Sequence, residues 1–130
     1  MSQIEIVRKI NDELAIAGQI SIEQLQQIAE EGYRSVLNLR SPDEKNLLDG
    51  EREKTQFLGL YYVNLPTKSE EINYQFALRL FAKISELPKP TLIHCDNCMR
   101  SAAIVLMYIA TRQGIAFDKV FLQATNLGLI

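Results

Sequence analysis

A chain of 130 residues, 47% hydrophobic and 23% charged, has the composition of one ordinary globular domain with enough apolar material for a buried core. Its formal net charge of −2 and the lack of a Lys/Arg cluster argue against nucleic acid as a partner, because binding to a phosphate backbone relies on concentrated positive charge. The opening Met1-Ser2-Gln3-Ile4-Glu5 lacks the charged-then-apolar pattern of a leader, and no apolar run reaches the roughly 20 residues that span a bilayer, so no membrane partner is expected. Both cysteines sit in one short segment and cannot staple distant parts of the chain, which points to a reducing, cytoplasmic setting. No repeat or linker divides residues 1–130, and nothing in the pattern specifies an oligomeric state.

Apolar pieces at Ile6–Ile10 and Leu14–Ala17 flank Asn11-Asp12 and predict a hairpin. Ser21 with Gln24 forms a capping-box pattern, and Ile22, Leu25, Ile28 and Ala29 then share one helical face until Gly32. Ser35–Leu39 reads as a strand, and Arg40–Asp49, with Pro42, as a loop. Glu51–Leu58 predicts a short helix closed by Gly59. Its charged run Asp49-Gly50-Glu51-Arg52-Glu53-Lys54 reads as a solvated face. Leu60–Leu65 reads as a strand stopped by Pro66, with one of Tyr61 and Tyr62 facing in and the other out.

Asn73 caps a longer helix running to about Leu87, with Phe76, Leu80, Phe81, Ile84 and Leu87 inward. Pro88 and Pro90 end it. Thr91–His94 is the next strand. A helix from about Arg100 to Gln113, closed by Gly114 and buried along Ala102–Ala110, and a last helix over Phe117–Ala124 complete the chain. Strands alternating with helices imply an α/β architecture with a largely parallel sheet of four or five strands, whose ligand site lies beyond the strands' carboxyl ends.

The segment His94-Cys95-Asp96-Asn97-Cys98-Met99-Arg100-Ser101 carries the chemistry. It joins a strand exit to a helix N-terminus, where free amide N–H groups and the positive end of the helix dipole favour an anion. A thiolate is stabilised in that field and becomes a nucleophile at neutral pH. Cys95 and Arg100 are expected to face each other across the site. Amides from Asp96, Asn97, Cys98, Met99, Arg100 and Ser101 would serve phosphate oxygens, and the planar Arg100 fork would grip two at once. The Ser101 hydroxyl is placed to hydrogen-bond the sulfur, and His94 to orient the loop.

This loop resembles that of the cysteine-dependent protein tyrosine phosphatase superfamily, which reads His-Cys, several residues, Arg-Ser/Thr. Four residues separate Cys95 from Arg100 where five are usual. That shorter loop is similar to a bacterial branch, the tyrosine-phosphatase-like domain of the beta-lactamase-hydrolase-like phosphatase family. The segments Ile10–Gln19, Gly32–Arg40 and Gly59-Leu60-Tyr61-Tyr62 look like the same family, so the likeness spans roughly residues 4–128. It implies a dual-specificity-phosphatase-like three-layer α/β sandwich and hydrolysis of phosphate monoesters through a phosphocysteine, without metal or organic cofactor. The expected partner is a phosphorylated substrate, or free phosphate or another oxyanion.

The chain departs from the family at Cys98, where glycine is usual and positive φ comes at little cost. Asp96 sets a negative charge beside a site for a dianion, either pointing outward or tuning specificity. The resemblance implies a general acid from a separate loop. Asp43 is the assigned candidate and Glu70 and Glu71 are the others, while Arg40 reads either as pocket-lining or as a surface or ion-paired arginine. Cys95 and Cys98 also form a Cys-x-x-Cys. It fits a small packed hydrophobe at Cys98, a reversible protective disulfide, or a thiol redox protein. Zinc is not expected, since His94, Cys95 and Cys98 offer three ligands and no second cluster supplies a fourth. A catalytically weak oxyanion-binding module is the alternative to the enzyme.

Overall fold

In a computed structural model of the chain, which describes residues 6–130, a five-stranded sheet is covered by helices on both faces. The leader reading and the start of the family likeness fall on residues 1–5, outside the described residues. The elements are β1 (Arg8–Lys9), β2 (Leu14–Ala17), α1 (Ile22–Glu30), β3 (Ser35–Asn38), α2 (Glu51–Phe57), β4 (Tyr61–Asn64), α3 (Tyr74–Glu86), β5 (Thr91–His94), α4 (Met99–Arg112) and α5 (Phe117–Asn126). The sheet order is β1-β2-β5-β3-β4, with β1 antiparallel to β2 and the other pairings parallel. The four-or-five-strand, largely parallel sandwich is what forms. The predicted first hairpin arm contracts to the two exposed residues of β1, since an edge strand with no buried face has little to hold more of it in register.

Period-2 alternation sorts the two cores. Leu14, Ile16, Leu37 and Ile93 point to the side covered by α3, α4 and α5, where Leu80, Ile84, Ile104, Met107 and Val120 are buried. Ala15, Ala17, Val36 and Leu92 point to the side of α1, with Leu25 and Ile28. Each fully buried Leu or Ile contributes about 1.5–3 kcal/mol by leaving water. The same alternation continues past β5: Cys95 faces the first side, and His94 turns the other way, toward α2.

Local signals explain the helix ends. Ser21 Oγ accepts from Gln24 N at 3.1 Å while Gln24 Oε1 accepts from Ser21 N at 2.7 Å, the reciprocal capping box. Asn73 Oδ1 accepts from Phe76 N at 2.8 Å and starts α3. Gly32, at φ +95°, ends the turn after α1. A short 3₁₀ turn at Ser69–Glu71 lies in a stretch that the sequence left without structure. Tyr61 is exposed and Tyr62 half-buried, one out and one in as its strand pattern requires. No helix among the described residues is long and apolar enough to cross a membrane.

The parallel strands β2, β5, β3 and β4 all end on one edge, and hydrogen bonds carry the ladder past their ends. Cys95 N donates to Ala17 O (3.2 Å), Leu39 N to His94 O (2.9 Å) and Leu65 N to Asn38 O (2.9 Å). This edge brings together the loops of residues 18–20, 39–50, 65–71 and 95–98.

Candidate active site

Backbone geometry fixes the loop first. Gly18 lies against it: a Cβ there would come within 2.9 Å of the Asp96 carbonyl, and Gln19 N donates to that carbonyl at 3.1 Å. Only glycine allows β2 to run this close to the loop. Cys98, the N-cap of α4, has φ +75°. The shortened loop therefore keeps the left-handed turn that glycine would make easily, and an L-residue holds it under strain. Cys98→Gly is expected to raise stability by about 1 kcal/mol in urea unfolding, the left-handed penalty relieved at one position. The helix starts at Met99, one residue before the predicted Arg100.

Arg100, in the first turn of α4, makes four side-chain hydrogen bonds at this edge. Its Nη1 donates to Glu44 Oε2 (2.8 Å) and Thr67 O (2.9 Å), and its Nη2 to Glu44 Oε1 (2.8 Å) and Asp96 Oδ1 (3.0 Å). Glu44 thus holds the guanidinium bidentately, the strongest geometry available to an arginine–carboxylate pair. It also accepts from Arg40 Nε at 3.0 Å and Ser41 N at 2.8 Å. These bonds, Arg100's foremost, bring its carboxyl down to about 2, so it is ionised at neutral pH. Sequence reasoning missed Glu44 altogether; its one visible signal is the four-residue spacing from Arg40.

Arg40 is buried and ion-paired with Glu44, and with Gln19 and Asp96 it lines a second pocket at this edge. Its Nη1 donates to Gln19 Oε1 (2.7 Å) and Asn46 O (3.2 Å), and Nη2 to Lys45 O. Gln19 Nε2 in turn donates to Glu51 Oε1 at 3.1 Å. Glu51 Oε2 and His94 Nε2 lie 2.6 Å apart, both buried, and His94 Nδ1 sits 3.3 Å from Cys95 O. Burial opposes the Glu51 charge, but the His94 ring, with its hydrogen bond and its charge, holds the carboxyl below its ordinary value. Both ring nitrogens thus face oxygen atoms, a carboxylate on one side and a backbone carbonyl on the other. A continuous polar chain, Arg100–Glu44–Arg40–Gln19–Glu51–His94, therefore runs from the guanidinium to the residue before Cys95. The reading of Asp49–Lys54 as a solvated face holds for Asp49, Gly50, Arg52 and Glu53, which are exposed, but not for Glu51, which is 5% exposed and turned toward the His94 side of β5.

Cys95 is 0% exposed and packs among the apolar residues under α4. The Ser101 hydroxyl donates to Ala17 O at 3.4 Å and not to the sulfur; the α4 face carrying Ser101 packs against β2, whose last carbonyl is the acceptor within reach. Both cysteines are free thiols, and burial, followed by the nearby Cys95, pushes the Cys98 thiol up. A cleft of about 500 Å³ opens beside the loop, lined by Asp43, Glu44, Lys68, Glu70, Asp96, Asn97, Met99 and Arg100 among others, but not by Cys95. Asp43 stands on its rim, paired with Lys68 at 3.3 Å; Glu70 shares the cleft, and Glu71 does not line it.

No protein-family model matches the chain, and no curated protein matches it as a relative. Solved structures do resemble it. A protein of Shewanella putrefaciens CN-32 described as a putative phosphatase (DUF442) superposes with a TM-score of 0.76 at 19% identity, over 91% of this chain and 80% of that one. One of Neisseria meningitidis Z2491, described as a putative phosphatase, gives 0.74 at 19%, over 97% and 90%. The P. aeruginosa protein TpbA, in complex with pTyr, gives 0.73 at 13%, over 96% and 75%. The chain therefore has the fold of tyrosine- and dual-specificity-type phosphatases, as the loop resemblance implied.

Proposed function

We propose that this chain hydrolyses phosphate monoesters through a phosphocysteine on Cys95. The observation that carries the reading is the placement of Cys95 and Arg100 on one strand–loop–helix unit at the carboxyl edge of a parallel sheet, in a fold shared with phosphatases. The Cys95 thiolate attacks phosphorus as the ester P–O bond breaks. The Asp43 carboxyl on the cleft rim gives its proton to the leaving alkoxide. Water then attacks the P–S bond, releasing inorganic phosphate and restoring the thiolate, with the proton returned to Asp43. Arg100 and the loop amides of residues 96–101 hold the equatorial oxygens where charge is concentrated. Glu44 is unsuited to the acid role because Arg100 and Arg40 lock it as the anion, whereas Asp43 has one exposed partner, Lys68, to release before it carries the proton. The pTyr complex of TpbA supports a phosphate ester as the ligand class. The reaction as written needs neither metal nor organic cofactor, and a reducing cytoplasmic setting suits the thiol.

Rapid mixing with an excess of aryl phosphate, acid quench and peptide mass mapping tests this. A phosphoryl group on the Cys95 peptide is the expected product. Phenol released while that peptide stays unmodified would overturn the covalent route. A second reading, oxyanion capture without turnover, is favoured by the complete burial of Cys95 and its absence from the cleft wall. It requires phosphate binding with no phenol release.

A further inference from the structure

Every Nη hydrogen of Arg100 is already committed in this structure. Two carboxylates and one carbonyl take all four: Glu44 twice, Thr67 O and Asp96. Two of the loop amides, those of Asn97 and Met99, are occupied in the same way. Asp96 Oδ1 accepts from Asn97 N at 2.8 Å as well as from Arg100 Nη2 at 3.0 Å, and Asn97 Oδ1 accepts from Met99 N at 3.1 Å. One Asp96 oxygen thus sits between an amide N–H and a guanidinium N–H, the donor pair that a phosphate oxygen would seek here. Burial opposes its charge, but the bonds from Arg100 and Asn97 hold it below the ordinary carboxylate range, so it stays anionic at neutral pH.

We propose that the Asp96 carboxylate is a built-in competitor for the oxyanion and selects dianionic ligands, the phosphate monoester class, over monoanionic ones. The inference rests on the oxyanion reading of this site. The two carboxylates on Arg100 differ in how they are held. Glu44 is tied to Arg40 and to Ser41 N besides, and its side chain is 21% exposed; Asp96 has only its two bonds here and is 47% exposed. Asp96 is therefore the one that a ligand displaces, and its departure frees Asn97 N–H and one Nη2 hydrogen toward the cleft. A tethered carboxylate has a high effective concentration. A free monoanion brings the same charge without the tether and loses. A dianion brings a second charge to Arg100 and wins, so specificity comes from a penalty imposed on the wrong ligand.

The test is calorimetric titration at about pH 8, above the second ionisation of a phosphate group. Inorganic phosphate is the dianion and dimethyl phosphate the monoanion. Wild type is expected to bind phosphate and not dimethyl phosphate. Asp96→Ala is expected to bind phosphate about tenfold tighter and to acquire measurable dimethyl phosphate binding, since a charge-assisted bond no longer has to be broken. Asp96→Asn removes the charge but keeps an acceptor for Asn97 N–H, so it tests the same point if the alanine variant fails to fold. Arg100→Ala combined with Asp96→Asn should remove the gain. Unchanged or weaker phosphate binding in the Asp96 variants, or equal binding of both ligands by wild type, overturns the proposal. Binding needs no turnover: tighter binding without phenol release would leave the competitor standing and remove the hydrolytic reading.

Discussion

Cys95→Ser should lower the rate of aryl phosphate hydrolysis by at least about 10³-fold, because a neutral hydroxyl replaces the group that forms the intermediate. The exchange is nearly isosteric in a residue buried beneath α4, and the backbone bond from residue 95 to Ala17 O is untouched. Loss of rate with an unchanged thermal midpoint would therefore be chemical in origin. Arg100→Lys should also fall sharply, since an ammonium cannot reproduce the forked grip that Glu44 displays on the guanidinium. Initial rates of phenol release check both. Wild-type rates in Cys95→Ser would remove the nucleophile assignment, and retained phosphate affinity in the same variant would show that binding and chemistry separate.

How the site was legible follows from which residues speak locally. Ser21 with Gln24, Asn73 and Gly32 announce themselves within one turn of the elements they start or end, and the structure places them there. Cys95 and Arg100 could be found because a strand–loop–helix unit is contiguous in sequence. Glu44, Gln19 and Glu51 could not. Each acts through a partner tens of residues away: Glu44 on Arg100, Gln19 on Arg40, Glu51 on His94. Their own neighbourhoods mislead. Glu51 sits in a charged run that resembles a solvated face, yet the first residue of α2 lies over the His94 side of the sheet. Glu44 lies in a loop without periodicity, one position from Asp43, which carried the more familiar role. Long-range pairing across a sheet edge depends on topology, which a one-dimensional pattern does not contain.

The buried pair at the far end of the polar chain has the larger consequence for folding. Glu51→Ala should reduce unfolding free energy by about 3–5 kcal/mol at neutral pH, the range for removing one partner of a buried ion pair. Two donors lose an acceptor at once, His94 Nε2 at 2.6 Å and Gln19 Nε2 at 3.1 Å; Gln19 keeps its bond to Ile20 O, but His94, 0% exposed, has no water to take the place of Glu51. Glu51→Gln, which keeps an acceptor oxygen but no charge, should recover part of the loss. The pH dependence has a definite sign. The Glu51 carboxyl titrates below its ordinary value of 4.5 in the folded chain, so the folded state binds fewer protons than the unfolded one through that window. Its contribution is complete above the unfolded value and disappears as pH falls through the folded one. Urea unfolding of wild type and Glu51→Ala should accordingly differ most near neutrality and converge in acid. A difference that stayed constant from neutral to acid pH would mean that Glu51 acts by packing alone and not through its charge.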